Sequence, residues 1–168
     1  MIHVCSLARL PAIVEASGAR HIITVMGNIE KVVRPLSVPE INHLRVSMDD
    51  VTMPMDGFNA PCEAHVETIL AFARQWDRAA PLVIHCWAGI SRSTASAFAA
   101  ACALNARRSE MDIAQSLRAV SPTASPNPLI VAHADRLLGR DGRMIKAIAA
   151  IGPGLDVIEG EPFALNLA

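Results

Sequence analysis

The run His85-Cys86-Trp87-Ala88-Gly89-Ile90-Ser91-Arg92-Ser93 gathers a thiol, a guanidinium and two hydroxyls into one short stretch. The apolar segment Pro81 to Ile84 precedes it, and Thr94 to Leu104, apolar almost all round, follows it. A strand that enters a tight loop and then a buried helix turns successive backbone N–H groups toward one point at the positive helix end, a cradle for an anion. Gly89 permits the backbone conformation such a turn needs. Arg92 adds a planar fork that holds two phosphoryl oxygens at once, which lysine cannot reproduce. The same positive field favours the thiolate of Cys86, so a cradle built for a dianion also makes a nucleophile. Ser93 can donate a hydrogen bond to the sulfur, and His85 suits ordering the loop better than acting as a base. The plainer reading of a lone cysteine is a small buried hydrophobe. That reading is preferred for Cys5, Cys62 and Cys102, and the register of Gly89, Arg92 and Ser93 argues against it at Cys86.

This spacing, HCxxGxxRS, resembles the phosphate-binding loop of the cysteine-dependent protein phosphatases, and Ala88-Gly89-Ile90-Ser91-Arg92-Ser93 is especially similar to the dual-specificity subgroup. The resemblance implies hydrolysis of a phosphate monoester through a phosphocysteine on Cys86. Residues Trp87, Ala88, Gly89, Ile90, Ser91 and Arg92 would hold the phosphate, supported by His85 and Ser93. It further implies an aspartate on an earlier loop that protonates the leaving oxygen and then activates water. Asp49, Asp50 and Asp56 all fall in that loop. Asp50, just past a strand and followed by Val51, matches the family's acid best, although its loop would then be longer than usual. Asp56, beside Gly57, sits nearer the family's usual distance from the cysteine, and Asp49 is expected to face solvent. Ser125-Pro126-Asn127 is similar to the segment that opens a helix beside the phosphate loop, with Asn127 helping to hold the loop's shape. Asn127 also suits the N-cap of a helix beginning at Pro128.

The substrate implied is a phosphorylated protein or a small phosphate monoester, with inorganic phosphate or sulfate able to occupy the same loop, and no cofactor. The chain has no tyrosine to build the deep phosphotyrosine-recognition loop of tyrosine-only enzymes, and its phosphate loop lacks the extra lysines typical of phosphoinositide phosphatases. Two other readings share the motif. One is a phosphate-binding module without an effective acid, and the other a sulfur-transfer or arsenate-reducing enzyme built on a Cys-x₅-Arg loop.

Composition narrows the setting. A net charge of −1 over 168 residues offers no broad basic face, which argues against nucleic acid as a partner. No uninterrupted apolar run is long enough to span a bilayer, so no membrane association is expected. Met1 to Cys5 lacks the basic region and apolar core of a secretion signal, and the four cysteines form neither a CxxC pair nor a disulfide framework. A reducing cytoplasm is the expected compartment. His3, His21, His43, His65 and His133 show no ligand spacing, so no metal site is expected.

The elements that must position the loop follow from periodicity. Residues 2–6, 21–26, 43–48 and 81–86 read as strands, several of them apolar on both faces. Residues 7–17, a segment opened by Pro61, and residues 94–104, 109–120, 127–138 and 140–151 read as helices, with Arg107 and Arg108 closing the central one. The pattern predicts an α/β fold with a central, mostly parallel sheet flanked by helices, resembling the dual-specificity phosphatases. Residues 1–139 are expected to form the catalytic domain. Residues 140–168, which have no counterpart in the family pattern, are expected to form a helix and tail packed on the same domain.

Overall fold

The computed structural model describes residues 1–167. Four short strands, β1 (Ile2–Ser6), β2 (His21–Val25), β3 (His43–Val46) and β4 (Leu82–Cys86), run parallel, and β5 (Phe163–Leu165) closes one edge antiparallel to β1. The strand order is β3-β2-β4-β1-β5, which puts β4 at the centre of the sheet. Alternation along the strands divides the core. Ile2, Val4, Ile23, Val25, Leu82 and Ile84 face a large cluster under the helices, whereas Cys5, Ile22 and Val83 face a smaller one with Leu10 and Val14. Covering both faces is what a parallel sheet requires, since its strands are apolar on each side.

One helix, α1 (Leu10–Ser17), covers the smaller face. The larger face carries α2 (Glu63–Gln75), α3 (Arg92–Leu104), α4 (Glu110–Val120), α5 (Pro128–Leu137) and α6 (Arg143–Ile151). α3 is buried from Arg92 through Cys102 and packs against α2, α4, α5 and β4. Its five alanines between Ala95 and Ala101 let so many neighbours approach closely. No helix among the described residues is long and apolar enough to cross a membrane.

The structure corrects several expectations. α1 starts at Leu10 rather than at residue 7, because Pro11 suits the first helical turn and not the interior. α3 starts two residues earlier than expected, at Arg92, and stops at Leu104, so Arg107 and Arg108 lie beyond it. Arg108 instead donates to Ser116 Oγ at 2.6 Å and so braces α4. α6 starts at Arg143, its first turn capped from α5 by Asp135, which accepts from the N–H groups of Gly142 and Met144. Cys5 and Cys102 are buried as expected, but Cys62 is exposed, serving as the N-cap of α2.

The tail after Gly152 packs on the same domain, bonded to the segment before α5 and to the phosphate loop. Gly154 N–H bonds Ser125 Oγ, Leu155 N–H bonds the Pro122 carbonyl, and Gly160 N–H bonds the Ala88 carbonyl. The approach is close enough that a Cβ on Gly154 would lie 2.4 Å from the Thr123 carbonyl. Leu165, 1 % exposed, ends this strap in the main core with Met144 and Ala147. Leu165→Ala is expected to cost about 2–5 kcal/mol of stability, the usual range for truncating a buried leucine, read as a lower midpoint in urea unfolding.

Candidate active site

Cys86 ends the central strand, and residues 87–91 turn directly into α3. Four carbonyls of this turn are held outward by backbone N–H groups from elsewhere. Trp87 O accepts from Leu7, Ala88 O from Gly160, Ile90 O from Ser125 and Ser91 O from Asn127. In a trans peptide unit the N–H points opposite to the C=O. The N–H groups of Ala88, Gly89, Ser91 and Arg92 are thereby aimed into the concave side. Gly89 N–H does reach Cys86 Sγ, at 3.2 Å. Gly89 has φ +75°, and a Cβ there would lie 2.8 Å from the backbone of Cys5 and Ser6, so the position admits glycine alone.

Cys86 is 1 % exposed, and its sulfur also lies 3.1 Å from Ser93 Oγ. Arg92 is held by a bond from Nη1 to the Met48 carbonyl, while its buried Nε has no hydrogen-bond partner. A buried guanidinium N–H without a hydrogen bond is costly, and the Asp50 carboxylate, an ion-pair partner at 3.6 Å, meets its charge without making that bond. Ser91 occupies the N-cap of α3, yet its hydroxyl bonds Asp50 instead of capping the helix. The first turn of α3 is thus left without a side-chain cap, as an anion site at a helix N-terminus needs. Cys5 and Cys102 are held as thiols. Burial pushes Cys5 up to about 12, its neighbour Cys86 adding to the effect, and burial likewise pushes Cys102 up to about 12.

Asp50 and Asn127 meet at the loop. Asp50 Oδ1 accepts from Ser91 Oγ at 2.7 Å and from Asn127 Nδ2 at 3.0 Å, and Oδ2 lies 3.6 Å from Arg92 Nε. Asn127 is the N-cap of α5 as expected, but its side chain reaches the Asp50 segment and not the phosphate loop, which its backbone N–H meets at the Ser91 carbonyl. Its Oδ1 caps α5 through Leu129 and Ile130, while its Nδ2 bonds Asp50 and the Val51 carbonyl. Asp49 corrects its expected solvent exposure. Its Oδ2 accepts from Asn59 N–H at 2.8 Å, and the Asn59 carbonyl accepts from Asp49 N–H at the same distance. This clamp pinches residues 50–58 into a closed excursion, so the extra loop length leaves Asp50 beside Arg92. Asp56 lies exposed on the excursion. A cavity of about 270 Å³ opens over the site, lined by Asp49, Asp50, Phe58, Trp87 and Arg92 among others.

Behind the loop lies a polar layer that periodicity did not reveal. Thr24 Oγ1 lies 2.7 Å from His85 Nε2 and 2.8 Å from His43 Nε2. His85 Nδ1 lies 3.3 Å from the Cys86 carbonyl, which can only accept, so Nδ1 bears the proton. His85 Nε2 must then accept from the Thr24 hydroxyl, whose oxygen in turn accepts from His43 Nε2–H. Burial pushes His85 down to about 4, and it pushes His43 to about 4 as well, with Arg45 and His85 adding to the effect. Both rings are neutral near pH 7, so His85 orders the end of β4 and is no acid there.

The fold and the cradle define a member of the protein tyrosine phosphatase superfamily of the dual-specificity type. The chain belongs to the polymorphic toxin system DSP-PTPase phosphatase family, whose model matches residues 12–106, including Asp50 and the whole phosphate loop. No curated protein matches the chain. Its fold is similar to that of human DUSP28, at 20% identity and TM-score 0.61 over 80% of this chain and 86% of that one. DUSP15 aligns at 17% identity and TM-score 0.64 over 89% of each chain. PTPMT1 in complex with PI(5)P aligns at 18% identity and TM-score 0.59 over 84% of this chain and 94% of that one. Asn127 and the docked tail lie outside the family match.

Two outcomes are expected from this geometry. Gly89→Ala should abolish binding of vanadate measured by calorimetry, because the added methyl forces the loop off the end of β1. Acidification should weaken the fold. With native values near 4 against 6.5 for a free imidazole, His43 and His85 bind fewer protons than in the unfolded chain. Stability is therefore lost as pH falls from about 6.5 toward 4. Thermal melts at pH 7 and pH 5 should show the lower midpoint at pH 5, with a shallower dependence in His43→Phe.

Proposed function

We propose that this protein hydrolyses phosphate monoesters through a phosphocysteine intermediate. The observation that carries the reading is the turn from β4 into α3, in which Gly89 N–H and Ser93 Oγ meet Cys86 Sγ and the buried Arg92 Nε has no hydrogen-bond partner. Cys86 Sγ attacks phosphorus, forming the S–P bond as the ester P–O bond breaks. Asp50 gives its proton to the leaving oxygen, and Oδ2 is the oxygen left to carry it, since Oδ1 already accepts from Ser91 and Asn127. Arg92 and the N–H groups of Ala88, Gly89, Ser91 and Arg92 stabilise the charge on the equatorial oxygens of the transition state. Water then attacks the phosphocysteine, and Asp50 takes its proton as the S–P bond breaks. Ser93 Oγ, 3.1 Å from the sulfur, supports the departing thiolate, and phosphate is released.

The substrate class is a phosphorylated protein side chain or a small phosphate monoester. All four cysteines are free, so Cys86 is not tied up in a disulfide.

Turnover of p-nitrophenyl phosphate tests the mechanism. Cys86→Ser should abolish it. Asp50→Asn should lower kcat by about 10²-fold, the scale of losing a positioned general acid, while Asp56→Asn should stay near the native rate. Full activity in Cys86→Ser would overturn the proposal, and the reverse order of the two aspartate variants would move the acid to Asp56. Binding of vanadate without any turnover would leave a phosphate-binding module instead.

A further inference from the structure

Beside the phosphate cavity lies a second cleft of about 250 Å³, lined by Leu7, Ala8, Trp87, Ala88, Ile158 and Glu159. Its three walls are the turn after β1, the phosphate loop and the docked tail. Backbone bonds tie them together, from Leu7 N–H to the Trp87 carbonyl and from Gly160 N–H to the Ala88 carbonyl. The cleft is thus built into the fold. Trp87 lines both cavities, so the two lie on either side of one residue of the loop.

The chemistry of the lining selects its occupant. Ile158 is 97 % exposed and Trp87 65 % exposed, an unusual exposure for two large apolar side chains so close together. The one carboxylate present asks for no further cation. Glu159 Oε1 accepts from Ser6 Oγ at 2.5 Å and lies 3.8 Å from Arg9 Nε, so its charge is already met within the chain. What remains uncovered is apolar surface of about one side chain's extent.

We infer that this cleft is a specificity subsite that takes a large apolar side chain, from leucine to phenylalanine in size, one or two residues from the phosphorylated position of a protein substrate. The inference rests on the phosphatase reading and narrows it to phosphopeptides. An extended peptide advances about 3.3–3.6 Å per residue, and the two cavities share Trp87 in their linings. A phosphoresidue in the cradle therefore brings a near neighbour to the far side of Trp87. The cleft's small volume suits one side chain better than an acyl chain.

Binding to Cys86→Ser protein, followed by fluorescence polarisation, tests this without requiring turnover. The probes are labelled phosphopeptides that differ only in carrying Leu or Gly at each of the two positions on either side of the phosphoresidue. At one or more of these positions the Leu peptide should bind at least about tenfold more tightly, the scale of burying an apolar side chain. Adding Ile158→Asp should bring the ratio of Leu to Gly affinities close to one. The ratio is internally controlled, because both peptides present the same phosphate to the same cradle. Equal affinities at all four positions would overturn the inference, as would a preference that survives Ile158→Asp. So would a phosphoinositide with short acyl chains that outcompetes every peptide, or a native dimer that Ile158→Asp dissociates. Failure of p-nitrophenyl phosphate turnover by the native protein would instead overturn the catalytic reading, and the peptide ratios would still decide the subsite.

Discussion

Four outward carbonyls hold this structure's chemistry in place. A loop that presents its N–H groups to an anion must point its C=O groups the other way, and buried carbonyls need donors. Here the donors come from four separate places: the turn after β1, the docked tail, the segment before α5, and the N-cap of α5 itself. The cradle is therefore not a property of residues 86–93 alone. It exists because the sheet order sets β1 next to β4, and because α3 brings the segment around residue 125 beneath the loop. The absence of space at Gly89 follows from the same arrangement, since Cys5 and Ser6, just before the Leu7 that bonds Trp87, block any Cβ.

Electrostatics then add to that frame instead of creating it. Ser91 surrenders its capping role to hold Asp50, and Asn127 donates to the same carboxylate oxygen while capping α5. One carboxylate thus couples the phosphate loop, the excursion after β3 and the helix at its flank. The neutral His85, fixed through Thr24 to His43, ties the end of β4 to β2 and β3 without adding charge near the sulfur.

How much of this could be read in the sequence depended on how local each feature is. The cradle was legible because its spacing is its geometry, with every contributing side chain inside nine consecutive residues. The strands and helices were legible in number and order up to residue 151, with errors confined to their ends, where caps such as Asp135 come from a different helix. Thr24 was overlooked because a single hydroxyl in an apolar strand carries no periodic signal. Only the register, which sets Thr24 opposite His85 and beside β3, gives it a role. A lone threonine between Ile23 and Val25 in a doubly buried strand was the available clue. Asp49 was misjudged because its partner Asn59 stands ten residues further on. The edge strand was invisible because three residues are too few to show a period, and its pairing is with the other end of the chain.

The bond from Gly160 to Ala88 also orders events in time. Synthesis delivers Cys86, Gly89 and Arg92 well before Gly160, and the parallel sheet and α3 can assemble in that interval. Until the tail arrives, the Ala88 carbonyl has no strap to hold it outward, and the Ala88–Gly89 peptide unit is free to turn over. A nascent chain of this protein would thus hold Cys86 in a loop whose final shape waits for residue 160 to be made and docked.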